Sequence, residues 1–208
     1  YHQIGIAYMN SNDLVNAIKY ARIGYETFPN TPGGMNCRAL MNQIELKSLS
    51  MRSEQSVPEG HTRILVQYKN FEKLHLRIIE RDWDEFIREK YHSPGILPQY
   101  KLQEMLKQTP LHEWTENLPK TDDYQLRDIE IELPYLNSGF YWILASFEKD
   151  FENSTQLQSN FIWVSNITLI SRIEGRLLDG FVLDAESGLP VINAEVILYS
   201  HDNRRELV

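Results

Sequence analysis

The sequence predicts a mostly β fold preceded by an α-helical segment, and the spacing of its apolar residues is the main reason. Across residues 1–48 apolar side chains recur every three to four positions, which is typical of amphipathic helices. From residue 49 they recur every second position, which is typical of strands that bury one face. Turn residues separate about seven such strands, so we predict a seven-stranded antiparallel sandwich of immunoglobulin-like architecture.

The first segment, residues 1–48, is predicted to contain three helices. Residues 10–13 supply a stop and an N-cap, and Thr31 is expected to cap the third helix with Pro32 at its first position. Helix, short turn and helix, with Ala and Tyr at regular offsets, is typical of a tetratricopeptide-type repeat. Because one repeat cannot bury its apolar face alone, we expect this TPR-like segment to cap or continue something larger.

The second segment, residues 49–172, is predicted to be the sandwich. Two runs, 62–68 and 73–79, are expected to pair as a hairpin joined at 70–72. A helical insertion is predicted at about 82–108, where the alternation stops. Other strands are expected at 49–55, 111–116, 124–133, 140–147 and 161–170, with core positions for Trp114, Trp142 and Trp163.

The third segment, residues 173–208, is predicted to begin a second β unit. Strands are expected at 180–184 and 191–199, on either side of a loop at 185–190. The chain opens on a run that already has helical spacing and closes without a turn signal. We therefore expect it to be part of a longer protein, with this second unit incomplete.

Charge and cysteine content exclude several classes of partner and site. The formal net charge is -8 at pH 7, which disfavours binding to nucleic acid or to an anionic membrane surface. The single cysteine, Cys37, excludes an internal disulfide and a zinc site built from several thiolates. No apolar run approaches the ~20 residues that a membrane span requires.

Each candidate catalytic or metal-binding group is better explained by a structural role than by catalysis or metal binding. His112-Glu113 resembles the start of a zincin motif, but Glu116 replaces the second histidine and the stretch alternates like a strand. An acidic group at a predicted helix start complements the helix dipole; it comprises Asp82, Asp84, Glu85 and Glu89.

A turn that contains Asp184, Glu186 and Ser187 lacks the spacing of a calcium loop, so an Asx-type turn is expected there. Phosphate loops, nucleophile elbows and Cys/His pairs are also missing from the sequence. We predict no catalytic, cofactor-binding or metal residue, no cofactor and no enzyme activity.

The sequence on either side of residue 172 carries a family resemblance. It lies in the run Trp163-Val164-Ser165-Asn166-Ile167 and in the run Val182-Leu183-Asp184-Ala185-Glu186-Ser187-Gly188-Leu189-Pro190 with Ala194 and Val196 following. Three shorter landmarks agree: Val57-Pro58-Glu59-Gly60, Tyr68-Lys69-Asn70 and Leu136-Asn137-Ser138-Gly139-Phe140-Tyr141. The two runs resemble the boundary between successive macroglobulin-type domains of bacterial alpha-2-macroglobulin-like proteins, and the three shorter stretches resemble landmarks within such a domain. The run 180–199 is also similar to carboxypeptidase-regulatory-like β modules.

This resemblance implies a non-catalytic structural fragment of a protease-trapping endopeptidase inhibitor. The expected partners are the proteases that the full-length protein traps and neighbouring domains of the same chain. The expected location is the bacterial periplasm or cell envelope, with membrane attachment only through a lipoprotein anchor outside this fragment. The thioester pattern Cys-x-Glu-Gln of some relatives is missing, because Cys37 is followed by Arg38-Ala39-Leu40.

Two other functions remain open at the level of sequence. The first is a cell-surface protein- or glycan-binding module, for which an exposed aromatic cluster of Trp83, Tyr91 and Tyr100 would be the binding surface. The second is an accessory sandwich of a multidomain hydrolase, which a catalytic domain in the same gene would reveal.

Overall fold

The computed structural model describes residues 1–60, 62–83, 99–151, 157–175, 177–199 and 206–207. The described part is mostly β, with helices at the N-terminus, as predicted. Its helices are α1 His2–Asn10, α2 Leu14–Thr27, α3 Pro32–Glu45 and α4 Gln99–Leu106. Its strands are β1 Ser48–Arg52, β2 Ser56–Val57, β3 Arg63–Lys69, β4 Lys73–Arg81, β5 His112–Asn117, β6 Arg127–Glu132, β7 Gly139–Ser146, β8 Gln158–Val164, β9 Ile167–Glu174, β10 Leu177–Asp184, β11 Leu198–Tyr199 and β12 Glu206–Leu207.

The N-terminal helices begin where the capping residues predict. Asp13 caps α2 by accepting a hydrogen bond from the Asn16 amide at 3.0 Å, and Thr31 caps α3 in the same way from the Gly34 amide at 3.1 Å. Both predicted caps are therefore confirmed. The apolar faces of α2 and α3 form a small core of Ala17, Ile18, Ala21, Cys37, Leu40 and Ile44. Within the described residues no helix is long and apolar enough to cross a membrane.

Two β-sheets pack face to face around the main core. One has the order β1-β3-β6 and the other β2-β8-β7-β4-β5. Both contribute to one buried cluster, which includes Ile64, Val66, Leu74, Leu76, Ile78, Ile131, Ile143 and Ile162. The prediction of about seven antiparallel strands missed β2, a two-residue strand that pairs in parallel with β8.

The predicted hairpin of β3 and β4 is wrong, because the two strands belong to different sheets. β3 pairs with β1 and β6, whereas β4 pairs with β5 and β7. Asn70 turns the chain with a positive φ of 64°. The next residue, Phe71, is 8% exposed and packs at the end of the sandwich against Tyr68 and Phe147, with ring centroids 5.6 and 5.2 Å away. A buried connection therefore carries the chain from one sheet to the other.

The outer face of the five-stranded sheet is also buried, under a second cluster. This cluster, called the outer cluster here, joins side chains of the sheet to Leu102 and Met105 of α4. Trp142, 2% exposed, belongs to it, with Trp163 packed at its edge. All three tryptophans predicted as core residues pack against a buried cluster, but only Trp114 packs against the one between the sheets. The reason is that β7 has both faces covered, so its alternation does not indicate which face is internal.

The strand predicted at 161–170 is interrupted at Ser165 and Asn166. β8 ends at Val164 within the sandwich, whereas β9 pairs with β10. β9 and β10, together called the ribbon here, span residues 167–184. All eight residues of β9 are exposed, and the predicted boundary at residue 172 falls inside this strand. Of the strand predicted at 191–199, only Leu198–Tyr199 is a strand, and it pairs with Glu206–Leu207.

Candidate functional site

Of the three aromatic residues predicted as a binding surface, the structure describes Trp83 and Tyr100. Trp83 is partly buried in the outer cluster, where its ring lies edge-on to Trp163 with centroids 4.3 Å apart. Trp83 is therefore partly exposed, and its ring packs at the edge of the outer cluster. Tyr100 is 49% exposed, and Tyr91 lies outside the described residues.

The histidine-containing stretch and the described part of the acidic group lie in ordinary structural positions. His112 and Glu113 lie on β5, and Glu113 forms an ion pair with Arg77 of the adjacent β4 at 3.2 Å. Asp82 is exposed, while Asp84, Glu85 and Glu89 lie outside the described residues. Among the residues that the structure describes, no group of three or more potential ligands could hold a metal ion.

Asp184 forms a local turn, as the sequence predicts. One carboxylate oxygen accepts hydrogen bonds from the Ser187 amide at 2.7 Å and from the Ser187 hydroxyl at 2.6 Å. Gly188 follows with a φ of +69°, which favours glycine. These hydrogen bonds, Ser187 first, lower the pKa of the Asp184 carboxyl. The carboxylate therefore closes the turn between β10 and the segment after it.

A groove lies between the helical segment and the sandwich, with a volume of about 640 Å³. Three lysines and three carboxylates line it: Lys47, Lys73, Lys120, Glu45, Glu72 and Asp122. Lys120 pairs with Glu72 at 3.7 Å, and the Lys47 ammonium lies 4.8 Å from the centre of the Phe147 ring. Because the charges balance and several are engaged within the protein, the groove does not select a ligand of one charge.

Four of the five segments that carry the family resemblance meet where the sandwich joins the ribbon, whereas Tyr68-Lys69-Asn70 lies at the other end of β3, beside α3. Gly60 and Leu136 bridge two of these segments, with both amide–carbonyl distances at 3.4 Å. The amide of Ser165 donates to the carbonyl of Val57 at 2.9 Å and brings in the third segment. The amide of Ala185, in the turn after the ribbon, donates to the carbonyl of Asn166 at 2.8 Å. Segments far apart in the chain thus converge on Asn166.

Glu59 connects these segments through its side chain. Its carboxylate accepts one hydrogen bond from the Ser138 amide at 2.6 Å and another from Asn166 Nδ2 at 3.0 Å. Its own amide donates to Asn166 Oδ1 at 3.0 Å. Glu59 and Asn166 therefore form a reciprocal pair, which we call the clasp. Hydrogen bonds from Ser138, and less from Asn166, hold the pKa of the Glu59 carboxyl below its usual value.

The sequence analysis identified these segments as landmarks but did not predict that they touch. Glu59 and Asn166 are separated by 107 positions, so no local spacing relates them. Polar loop residues such as Glu59, Ser138 and Asn166 also resemble ordinary solvent-exposed turn residues in a single sequence. Their arrangement can hold loops in place, but it contains no nucleophile and base in contact.

Comparisons with known proteins found similar folds only among solved structures. No protein-family model matches the chain, and no curated protein sequence matches it. A crystal structure of native alpha-2-macroglobulin from Escherichia coli spanning domains NIE-MG1 is 14% identical, with a TM-score of 0.49, over 71% of this chain and 74% of that one.

A second crystal structure of the Escherichia coli protein, spanning domains MG0-NIE-MG1, is 12% identical with a TM-score of 0.46, over 69% of this chain and 47% of that one. The CARDB domain of a Pyrococcus furiosus protein, in complex with di-metal ions, is 10% identical with a TM-score of 0.30, over 58% of this chain and 88% of that one. With all three TM-scores below 0.5, these likenesses do not place the chain in a family.

Proposed function

We propose that this chain is a non-catalytic structural segment of a bacterial alpha-2-macroglobulin-like, protease-trapping protein. In this proposal the sandwich is a macroglobulin-type domain, and the ribbon leads into a second β domain of macroglobulin-like or carboxypeptidase-regulatory-like kind. The TPR-like helices precede the sandwich and contact its end. The chain then acts as a scaffold, and the trapping step occurs elsewhere in the full-length protein.

The observation that carries this proposal is the convergence of four of the five resemblance-bearing segments. The segment that contains Asn166 resembles the family's domain boundary, and those that contain Glu59 and Ser138 resemble landmarks of the domain itself. These segments hydrogen-bond to one another at the end of the sandwich. Their meeting beside the start of the ribbon supports a role as a junction between two β units.

The surroundings of the polar groups support a scaffold rather than an enzyme. Glu113 of the zincin-like stretch forms an ion pair with Arg77, and the Asp184 carboxylate accepts a hydrogen bond from the Ser187 hydroxyl. Both faces of the five-stranded sheet are covered by apolar side chains, so neither is open to a substrate. The partners in this proposal are the trapped proteases and neighbouring domains of the chain, and the location is the periplasm or envelope, with a possible lipid anchor.

The deciding experiment uses the full-length protein that contains this segment. It is incubated with a panel of endopeptidases of different specificity, and its sedimentation coefficient and small-angle scattering are measured before and after cleavage. Trapping predicts compaction after cleavage and co-sedimentation of the protease. Cleavage that leaves the shape unchanged and releases the protease would overturn the proposal.

A matched control separates trapping from simple degradation. The same proteases are first inactivated by a covalent active-site inhibitor and then added to the full-length protein. We expect neither compaction nor retention, because cleavage is the trigger. Retention of the inactivated protease would instead indicate ordinary surface binding, which is the alternative function that the exposed Tyr100 leaves available.

A further inference from the structure

The ribbon has little packing against the sandwich, so something other than a shared core must determine its direction. Every residue of β9 is exposed, including Ile173 at 76%, and the main buried cluster contains no residue of β9 or β10 among those described. A β-ribbon joined to a domain by two residues, Ser165 and Asn166, would swing if the chain were the sole connection.

The clasp lies at this joint. Asn166 is the last residue before β9, and each polar atom of its side-chain amide is bonded to Glu59, as acceptor from the backbone amide and as donor to the carboxylate. Glu59 is fixed on the sandwich side by the Ser138 amide and by the bridge of Gly60 to Leu136. On the ribbon side the Asn166 carbonyl accepts from Ala185 after β10. The clasp therefore lies between the sandwich and the end of the ribbon where Ile167 pairs with Asp184.

We propose that the reciprocal hydrogen bonds of Glu59 and Asn166 are a conformational latch that sets the direction of the ribbon relative to the sandwich. Glu59 acts as a positioning residue, because it contacts no substrate and works through Asn166. When the latch opens, the ribbon turns about Ser165 and Asn166 while both β units stay folded. The proposal depends on the contacts of this joint and not on the family of the protein.

The latch can be tested by exchanging the hydrogen-bond donor and acceptor groups of Glu59 and Asn166. Glu59 offers two acceptor oxygens, which receive hydrogen bonds from the Ser138 amide and from Asn166 Nδ2. Glu59→Gln replaces one oxygen by an NH₂ group, so one of the two bonds becomes a contact of two donors. Asn166→Asp places two carboxylates against each other. The double variant restores complementarity, because the introduced glutamine can donate to the introduced aspartate and still accept from the Ser138 amide.

The experiment measures the distance between the two β units by double electron–electron resonance on the 208-residue chain. Spin labels are attached to cysteines introduced at Leu65 on β3 and Ile173 on β9, which are 40% and 76% exposed. Cys37, at 1% exposure, stays unlabelled in the folded protein. The parent chain is expected to give one narrow distance distribution. Glu59→Gln and Asn166→Asp are each expected to broaden it at least twofold.

The double variant decides between a latch and a general loss of structure. We expect Glu59→Gln with Asn166→Asp to return the distribution to the parent width. The matched control is Glu72→Gln, which removes a carboxylate paired with Lys120 on the same sandwich and leaves the joint intact; it should keep the parent width. Single variants with the parent distribution, or a double variant as broad as either single variant, would overturn the proposal.

Discussion

The side-chain amide of Asn70 donates a hydrogen bond to the carbonyl oxygen of Ile44 at 2.8 Å. A second bond goes to the carbonyl of Leu46 at 3.1 Å. Both acceptors belong to the end of α3, where helix carbonyls have no partner within the helix. Asn70 lies at the crossing between the two sheets, with φ at 64°. One residue thus turns the chain inside the sandwich and fastens the helical segment to it.

Two substitutions at Asn70 separate these roles. Asn70→Gly retains the left-handed backbone and removes both side-chain bonds, so we expect a loss of about 1–2 kcal/mol in the free energy of unfolding. Asn70→Ala removes the bonds and adds backbone strain, which costs roughly 1–2 kcal/mol more. Urea unfolding followed by circular dichroism measures both. Equal stability of the glycine and alanine variants would show that the backbone conformation contributes nothing.

Adjacent glycines at the start of α3 should respond in opposite ways to alanine. A Cβ atom at Gly34 would overlap the backbone carbonyl of Phe28, whereas one at Gly33 would have Thr31 Oγ1 as its nearest neighbour at 3.9 Å. We expect Gly34→Ala to destabilise the protein by about 1–3 kcal/mol through overpacking. Gly33→Ala should stabilise it by up to about 1 kcal/mol, because alanine favours the helix. Thermal unfolding of the two variants checks this, and a stabilised Gly34→Ala would contradict the buried position of that glycine.

Local signals predicted the parts of the fold that depend on neighbouring residues. The caps at Asp13 and Thr31 were predicted because a capping side chain bonds an amide three positions along. The crossing at Asn70 was read as a hairpin turn, since a short polar link between two strands looks the same whether the strands pair or separate into two sheets. The pairing partners of β3 and β4 and the burial of Phe71 at the end of the sandwich distinguish the two cases, and both are tertiary properties.

The candidate site shows the same limit more strongly. Glu59 and Asn166 were part of recognisable segments, yet their contact depends on the packing of the whole sandwich between them. The outer cluster was missed for a related reason. Trp142 and Trp163 were predicted as core residues without a face of the sheet, because alternation locates a buried face without saying which of two buried faces it is.

His75 should make stability sensitive to mild acid. Burial first, and then the charges of Lys149 and Lys73, lower the pKa of His75, and the carboxylate of Glu113 opposes this. Nδ1 of His75 lies 2.8 Å from the Thr115 hydroxyl. Since the pKa is lower in the folded protein, the unfolded chain takes up the proton first. The stabilising contribution is therefore present above about pH 6.5 and is lost as the pH falls from there through the folded-state pKa.

The test is His75→Gln, which can keep a hydrogen bond to Thr115 and has no titrating ring. Unfolding free energies are measured by urea denaturation from about pH 7.5 to 5.5, above the range where ordinary carboxyl groups titrate. We expect a smaller fall in stability with acid in the variant than in the parent chain. Parallel curves for the two proteins would mean that His75 titrates alike in the folded and unfolded states.

Gly180 should be required for the pairing of β9 with β10. It lies opposite Ser171 in the ribbon, and a Cβ atom there would overlap the carbonyl oxygen of Ile170 and lie 3.1 Å from the Ser171 Cα. A two-stranded ribbon is marginally stable by itself, so even a small separation of the strands should open it. Gly180→Ala is therefore expected to raise amide hydrogen exchange in β9 and β10 at least tenfold, while the amides of β7 in the sandwich keep their protection.

Gly188→Asn is the matched control, because its φ of +69° tolerates asparagine and the space around it is open. Unchanged exchange in Gly180→Ala would show that the strands can separate enough to admit a methyl group without opening, and exchange that rises equally in β7 would show that the ribbon and the sandwich unfold as one unit.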